Sequence, residues 1–219
     1  MKEVRITSAE VLGTAEAATP KRRGNRATRV PAIIEVSMNI FNSHGNSGFT
    51  QRRVASEAGI RLRTLQHYFN SREELLRAVF EEFNRRYLDR YRAIAQDKFR
   101  SPEACLDAIV DETFAVLGET GINVSGFVLE AWSLAEHEGF ARDVVAKGCD
   151  EFQEMFAKLV ARINPTLTTG ECTLRGALLL SHLQGLAVFI RRAGENKPDL
   201  EAFRHATKVV WKGISTAAH

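Results

Sequence analysis

Cysteine is scarce in this chain of 219 residues, and the few cysteines present exclude a disulfide scaffold. The three of them, Cys105, Cys149 and Cys172, are odd in number, far apart and in no paired motif. Small secreted domains depend on dense, paired cysteines, whereas isolated thiols are typical of a reducing compartment. The sequence therefore predicts a cytoplasmic protein whose cysteines are core or surface thiols.

Long hydrophobic runs are missing as well. Residues 1–19 are broken by charged side chains such as Glu10 and Glu16, so they lack the apolar run of a signal peptide. The most apolar segment, 176–190, contains Ser181 and His182 and falls short of the roughly 20 apolar residues that cross a bilayer. We expect neither a signal peptide nor a membrane span.

Proline is rare, and no segment alternates long enough to predict a strand. Each of the five prolines lies where a helical pattern would be interrupted. Between them, apolar residues recur with the three-to-four spacing of helix faces. Ser71 to Glu74 and Thr168 to Glu171 are capping-box sequences, and Ser101-Pro102-Glu103 is a further helix start. The sequence predicts an all-α chain of about nine helices, the one after Ser71 continuing to about Gln96.

Acidic side chains are almost missing from one part of the chain. Residues 21–72 hold ten Lys or Arg and two Asp or Glu side chains, a net charge of +8. Residues 81–219 hold 17 basic and 20 acidic side chains, a net charge of −3, while the whole chain carries only +3. This asymmetry indicates nucleic-acid contacts in the first third.

Residues 50–69 predict two short helices joined by a tight turn. Two helices that cross steeply need a small residue at the contact, here Ala55, and Gly59 lets the chain reverse four residues later. The exposed part of the second helix carries cations and hydrogen-bonding groups: Arg61, Arg63, Thr64, Gln66 and His67. This set suits the DNA major groove, which admits a helix and presents base-edge donors and acceptors beside phosphates.

A longer pattern of about 45 residues surrounds this motif. It consists of an apolar helix ending Ile40-Phe41 before Gly45, then Thr50, Val54-Ala55, Ala58-Gly59-Ile60, Thr64-Leu65, Tyr68-Phe69 and Arg72-Glu73-Glu74-Leu75-Leu76. In this order and spacing, residues 33–76 resemble the DNA-binding domain of the TetR family of bacterial transcriptional regulators. The remaining three quarters of the chain match that family only in length and helical character.

The resemblance implies a role for each matching residue. Thr50 matches the family's phosphate-contacting threonine, and Arg52 falls where a polar or basic side chain commonly reaches DNA. Thr64 and His67 match positions that usually touch backbone or bases. Arg72 matches the basic residue that grips phosphate at the start of the long connecting helix.

Two positions depart from the family pattern. Arg61 stands where Ser or Thr is common, so a side-chain cap worth about 1 kcal/mol is exchanged for a possible phosphate or guanine contact. Gln66 stands where Tyr is common, and its amide can read adenine in bidentate fashion. Further upstream, Arg22, Arg23 and Arg26 form either a solvated tail or an arm that contacts the minor groove or phosphates.

The resemblance also implies a C-terminal body that binds a small-molecule effector, and the aromatic and aliphatic residues of that body favour an effector that is partly apolar. The candidates for lining its cavity, each of which ordinary core packing also explains, are Phe114, Leu117, Phe127, Trp132, Met155, Phe156 and Leu159, with Leu129 and Phe152 as further candidates. The last two predicted helices, about 171–192 and from 200 onward, are expected to form a four-helix interface in a homodimer. Its candidate residues are Leu178, Ser181, Gly185, Phe189, Phe203, Val210 and Trp211.

Catalytic and metal sites are not predicted. In Glu136-His137-Glu138 neighbouring side chains point to different sides of a helix, and no second ligand pair follows at the spacing of one turn. Ser181 and His182 lie near Cys172 in sequence, but no third group orients a base. We therefore expect no enzyme, no metal and no cofactor.

The sequence thus predicts a disordered basic arm (1–26), a helix-turn-helix domain (27–76) and a ligand-binding and dimerisation domain (77–219). The predicted function is that of a regulator, a repressor in our interpretation, which binds a palindromic operator in double-stranded DNA as a homodimer and is released by a small molecule. Two recognition helices about one DNA turn apart would read such a palindrome. The alternative is a helical ligand-binding or adaptor protein that does not bind DNA.

Overall fold

A computed structural model describes residues 26–118 and 124–218 of the chain. Within these residues it contains nine α-helices, one short 3-10 turn and no β-strand, which confirms the all-α prediction. The helices are α1 (Arg26–Gly48), α2 (Gln51–Glu57), α3 (Leu62–Tyr68), α4 (Arg72–Ala95), α5 (Pro102–Gly118), α6 (Val124–Ala135), α7 (Gly139–Ile163), α8 (Thr169–Arg192) and α9 (Leu200–Thr216), with the 3-10 turn at Gly194–Asn196.

Side-chain caps fix the predicted starts of two long helices. The Ser71 hydroxyl accepts a hydrogen bond from the backbone N–H of Glu74 at 3.0 Å, which opens α4. Thr168 and Glu171 form a complete capping box on α8. In α4 the Glu74 carboxylate accepts instead from the backbone N–H of Asn70 at 2.8 Å, so the reciprocal half of the predicted box involves the preceding residue.

The beginning of α1 differs from the expectation. Pro31 lies inside α1 and does not separate two elements, because the helix already begins at Arg26. The proline removes one N–H that would bond back to the first turn, a modest loss near a helix end. Of the predicted arm, residues 1–25 lie outside the described residues, and Arg26 is helical.

One hydrophobic core joins the first four helices to α6 and the start of α7. Phe127 of α6 is at its centre, with ring centroids 5.0 Å from Phe41 in α1 and 4.0 Å from Phe83 in α4. Phe41 also packs edge-on against Phe80, at 5.1 Å. The predicted border between residues 76 and 77 therefore falls inside α4 and inside a core that both parts share.

A second core lies between α4, α5, α7, α8 and α9. Trp211 of α9 is fully buried there, with its ring 5.4 Å from that of Phe156. Its indole Nε1 donates to Nδ1 of His182 at 2.7 Å, and burial lowers the pKa of His182, so this imidazole is neutral. The prediction that Trp211 lies in a dimer interface is wrong, because α9 turns this side chain into the protomer.

Helix α8 also corrects the expectation about apolar runs. Its most apolar 18-residue window has a mean hydropathy of 1.4, so α8 is long and apolar enough to cross a membrane by length and composition alone. The core helix of a soluble protein passes the same test. Only 22% of that window is buried, which leaves apolar surface of α8 uncovered in the single chain.

Helices α7 and α8 approach each other closely at Gly176. A Cβ atom at this position would lie 2.8 Å from the backbone nitrogen of Ala157 and 2.8 Å from the backbone oxygen of Gln153. Backbone atoms inside a helix cannot move aside as the end of a flexible side chain can. The crossing of α7 and α8 therefore requires glycine here.

We expect Gly176→Ala to lower the free energy of unfolding by about 1–3 kcal/mol, as overpacking of a core usually does. Urea denaturation followed by circular dichroism measures the change. Gly170→Ala in the first turn of α8 is the control, because its Cβ would meet only the Thr168 hydroxyl oxygen, at 4.0 Å. Equal stability of the two variants would contradict the close approach of the helices.

Candidate functional site

The turn between α2 and α3 has the predicted construction. Ala55 is only 3% exposed at the contact between the two helices, and Val54 and Leu65 are fully buried beside it. Gly59 has a φ of +63°, in the left-handed region that glycine adopts without strain. The backbone N–H of Ile60 then donates to the carbonyl of Ala55 at 2.9 Å, which closes the turn.

The outward side of α3 brings the predicted DNA-contacting side chains together. Arg61, Arg63, Gln66 and His67 are exposed and Thr64 is half-buried, and these five residues line one shallow concavity of the surface. Arg61 precedes α3 in extended conformation and makes no side-chain cap, as the sequence predicted. Within the described part of the chain, the side chains of Arg61, Arg63 and Gln66 have no hydrogen-bond partner, so their donors face solvent.

Thr50 caps α2, the first helix of the motif. Its hydroxyl oxygen accepts a hydrogen bond from the backbone N–H of Arg53 at 3.2 Å, and the residue is exposed. A hydroxyl that accepts one bond still has its own proton to donate. The neighbouring Arg52 is exposed on the first turn of α2.

Arg72 has a different role from the one the resemblance implied. Its Nε donates to the carbonyl of Phe49 at 3.0 Å, and its Nη2 donates to the carbonyl of Asn46 at 2.9 Å and to the Asn46 side-chain oxygen. The guanidinium also lies 5.7 Å from the centre of the Phe49 ring, and burial lowers its pKa. Arg72 therefore ties the start of α4 to the α1–α2 connection and does not extend as a free phosphate-gripping cation.

The first helix begins close to the end of α3. The guanidinium of Arg26 lies 6.0 Å from the centre of the Tyr68 ring, a cation–π distance. The first residue of α1 therefore lies beside the end of the candidate DNA-reading helix. Arg22 and Arg23, the other predicted arm contacts, lie outside the described residues.

A cavity of about 130 Å³ lies in the body, bounded by α4, α5, α6, α7 and α8. Leu117, Phe127 and Trp132 line it, as does Phe152. Four other predicted lining residues belong to the second core instead: Phe114, Met155, Phe156 and Leu159. The apolar face of α7 continues beyond Phe152 to Phe156, but there the ring of Trp211 packs against it and fills the space.

Sequence reasoning missed the contribution of α4 to this cavity. Phe83, Asn84, Tyr87 and Tyr91 line it, and none of them is among the lining residues predicted from the sequence. The sequence does contain one signal for this role, the polar residue Asn84 within the otherwise aromatic face of α4. A polar side chain at such a position indicates the wall of a cavity and not a filled core. The amide Nδ2 of Asn84 donates to the carbonyl of Val144 at 3.3 Å.

Most predicted dimer residues of α8 are on its uncovered side. Leu178 is 48% and Phe189 49% exposed, and Ser181 and Gly185 are exposed between them. On α9, Val210 is 48% exposed and Phe203 is half-buried. The structure adds two further exposed apolar side chains to this surface, Leu174 and Val209.

The structure places the residues considered for catalysis and metal binding as follows. Glu136, His137 and Glu138 are all exposed at the end of α6. In residues 26–118 and 124–218, no three His, Cys, Asp or Glu side chains are grouped so that they hold a metal ion. The Ser181 hydroxyl donates to the carbonyl of Leu178 at 2.9 Å.

Comparison with known proteins agrees with the local geometry. Residues 33–79 match the family described as bacterial regulatory proteins, tetR family. Over 79 residues the chain is 29% identical to the HTH-type transcriptional regulator PksA of Bacillus subtilis. That alignment covers 36% of this chain and 38% of PksA, so the chain matches well under half of this curated relative.

Solved structures are similar over most of the chain. A protein of Pseudomonas aeruginosa PAO1 described as a transcriptional regulator has a TM-score of 0.76 at 17% identity, covering 90% of this chain and 95% of that one. A TetR transcription regulator from Haloarcula marismortui has a TM-score of 0.69 at 18% identity, covering 86% and 97%. At these identities the likeness establishes the fold.

Fold and site together define an all-helical protein with an N-terminal helix-turn-helix domain and a helical C-terminal body. Residues 33–79 match the DNA-binding domain of the tetR family of bacterial regulatory proteins, and the described chain shares the fold of a solved TetR regulator.

We expect Arg72→Ala to destabilise the protein by about 1.5–3 kcal/mol, because hydrogen bonds from a charged donor to Asn46 and Phe49 are lost. Thermal unfolding measures the effect. Arg52→Ala, which removes an exposed cation from α2, should melt like the parent. An Arg72→Ala variant of unchanged stability would argue against the structural role and for the phosphate contact.

Proposed function

We propose that this chain is a DNA-binding transcription regulator, a repressor that binds a palindromic operator as a homodimer and leaves it when a small molecule binds. The observation that carries the proposal is the outward face of α3, where Arg61, Arg63, Thr64, Gln66 and His67 converge. Such side chains, with solvent-facing donors on a short helix, match base edges and phosphates in a major groove.

With α3 placed in the major groove, the other DNA contacts can be assigned. The free proton of the Thr50 hydroxyl and the exposed Arg52 guanidinium suit phosphates beside the groove, since both types of donor commonly bind phosphate oxygens. The amide of Gln66 pairs with adenine, and Arg63 with guanine. Arg26 lies beside Tyr68, and with the basic residues Arg22 and Arg23 we assign it to contacts with the adjacent minor groove or its phosphates.

Binding sites selected from a random DNA library provide the specific target, and mobility shifts on that target and on random DNA test the contacts. We expect Arg63→Ala or Gln66→Ala to weaken specific binding by about 1–3 kcal/mol, with a smaller loss on random DNA. Lys147→Ala removes an exposed cation from α7 and should change neither specific binding nor binding to random DNA. Equal losses of affinity on both DNAs would show that Arg63 and Gln66 contact only the DNA backbone.

The same assay separates the proposal from its alternative. A regulator must bind some DNA in a salt-sensitive manner, because phosphate contacts release counterions. A folded protein that selects no sequence and shows no salt-sensitive binding would contradict the proposal. That result would favour a helical ligand-binding or adaptor protein.

The uncovered surface of α8 and α9 supports a homodimer. Leu174, Leu178 and Phe189 follow one face of α8, and Val209 and Val210 lie on α9, each between 48% and 63% exposed. Large exposed apolar side chains grouped on two neighbouring helices are typical of a protein contact. Small residues between the large ones permit close approach: no atom lies within 4 Å of the Cβ position of Gly185.

Phe203 supports this surface from beneath. Its ring lies 5.7 Å from Phe189 and 5.9 Å from Phe114, so it connects an exposed side chain to the second core. Two copies of α8 and α9 would form a four-helix contact. The pairing also explains how one short α3 helix achieves selectivity, because two joined copies bind two half-sites with a high effective concentration.

We expect Leu178→Asp to produce monomers, because a dimer would bury the introduced carboxylate in an apolar contact. Sedimentation velocity measures the change in mass, and binding to a full palindrome should fall to the level of a half-site. Phe99→Asp is the control, since Phe99 is a fully exposed apolar side chain in the connection between α4 and α5 and belongs to neither α8 nor α9. If Leu178→Asp sediments as the parent does, another surface forms the dimer.

Helix α6 supports the proposed release by an effector. Phe127 and Trp132 line the cavity, and between them Glu130 reaches the last turn of α1, where its carboxylate accepts from the backbone N–H of Asn46 at 3.2 Å. A ligand that displaces α6 therefore also acts on the segment held by Arg72. By linkage, the effector changes DNA affinity only by its own difference in affinity for the two conformations.

A further inference from the structure

The walls of the cavity are neutral. Among the described residues that line it, none carries a charged side chain; the polar ones include Asn84, Thr113, Cys149 and Gln184. An ion transferred from water into such a site would lose its hydration without gaining a partner charge, which costs several kcal/mol. The cavity therefore selects against carboxylates and ammonium groups.

Size and wall composition favour one small ring. The volume of about 130 Å³ is close to that of engineered cavities of about 150 Å³ that admit benzene. Aromatic rings form much of the wall: Phe83 lies 4.0 Å from Phe127 and 4.6 Å from Tyr87, between ring centroids. Such walls offer edge-on and offset contacts to another aromatic ring.

The hydroxyls at one side of the cavity are already satisfied. Thr113 donates its proton to the carbonyl of Ile109 at 2.8 Å, so its oxygen accepts the proton of Tyr91 at 3.0 Å. Burial raises the pKa of the Tyr91 phenol, which keeps that proton in place. Neither hydroxyl has a donor left for a ligand.

Two amides on the other walls retain hydrogen-bonding capacity. Asn84 donates one N–H to the carbonyl of Val144, and Gln184 donates one to Sγ of Cys149 at 3.3 Å, so both are anchored to the same part of α7. Each amide keeps a second N–H and its carbonyl oxygen. A ligand hydroxyl, which donates one bond and accepts others, matches this pair, whereas a carboxylate only accepts and an ammonium only donates.

The Asn84 amide fits at its position only because residue 148 is a glycine. A Cβ at Gly148 would lie 2.6 Å from Nδ2 of Asn84, so any larger residue would displace the amide. Because Gly148 itself lines the cavity, its missing side chain gives the amide access to the ligand space.

We infer that the cavity between α4 and α8 binds a small, uncharged aromatic molecule with one hydroxyl group, a ligand of the phenol class, held through the amides of Asn84 and Gln184. The inference rests on the proposed function in treating this ligand as the effector. The chemical class of the ligand is argued from the cavity alone and is tested on the protein without DNA.

Isothermal titration calorimetry of the full chain with phenol, toluene and benzoate tests the chemistry. We expect phenol to bind about tenfold more tightly than toluene, the gain of one net buried hydrogen bond. Benzoate, an anion at neutral pH, should bind at least about tenfold more weakly than toluene. Benzoate binding as tightly as phenol, or no binding of either neutral ring, would overturn the inference.

Variants locate the polar contact. Asn84→Leu keeps the side-chain volume and removes the amide. Phenol should then bind no more tightly than toluene, while toluene binds as it does to the parent. Gly148→Ala pushes the same amide aside and should reduce phenol binding without removing any polar group, which keeps the test valid if Asn84→Leu folds poorly. Gln153→Leu, which removes an amide on α7 outside the cavity, is the control and should bind all three probes as the parent does. Unchanged phenol preference in both cavity variants would overturn the assigned contact.

Mobility shifts with added phenol then separate the two levels of the proposal. Phenol that binds in calorimetry and releases DNA supports both the ligand class and its action as effector. Phenol that binds without releasing DNA contradicts the effector role, while the ligand class stands. DNA released by benzoate and not by phenol overturns the ligand class and leaves the regulator proposal intact.

Discussion

The packing of Phe127 between α1 and α4 is the interaction on which the rest of the structure depends. Its ring stacks on Phe83 and meets Phe41 edge-on, so a helix that lines the cavity is also part of the core beneath the helix-turn-helix. Close-packed rings do not deform continuously; they shift between discrete arrangements. The wall of the cavity and the packing of α1 are thereby connected through one side chain, and the Glu130 contact at Asn46 adds a polar connection beside it.

The helix-turn-helix could be predicted because its constraints are local. The small Ala55 at the crossing, the positive φ of Gly59 and the Ser71 cap all act within about one helical turn of their own position. Arg72 shows where such reasoning ends. The sequence reveals a cation at the start of a helix, but its hydrogen-bond partners at Asn46 and Phe49 lie more than 20 residues away and are brought near only by folding.

The cavity and the uncovered surface were less predictable for a related reason. Periodicity identifies the apolar face of a helix, but it does not tell whether that face meets another helix, a cavity or solvent. Val210 and Trp211 are neighbours of similar hydrophobic character, yet one is 48% exposed and the other fully buried. Likewise Phe152 borders the cavity while Phe156, one turn farther, packs against Trp211. In each pair the tertiary packing of α9 determines the difference.

Helix α4 gives this arrangement a mechanical consequence. Its 24 residues run unbroken from Arg72, which holds the α1–α2 connection, to Ala95 in the second core, a length of about 36 Å at 1.5 Å per residue. The cavity residues Asn84 and Tyr91 lie along its middle and far part. A stiff rod of this length acts as a lever, so a tilt of a few degrees at the cavity becomes a displacement of a few ångströms at its start. That displacement is comparable with the rise of about 3.4 Å from one base pair to the next.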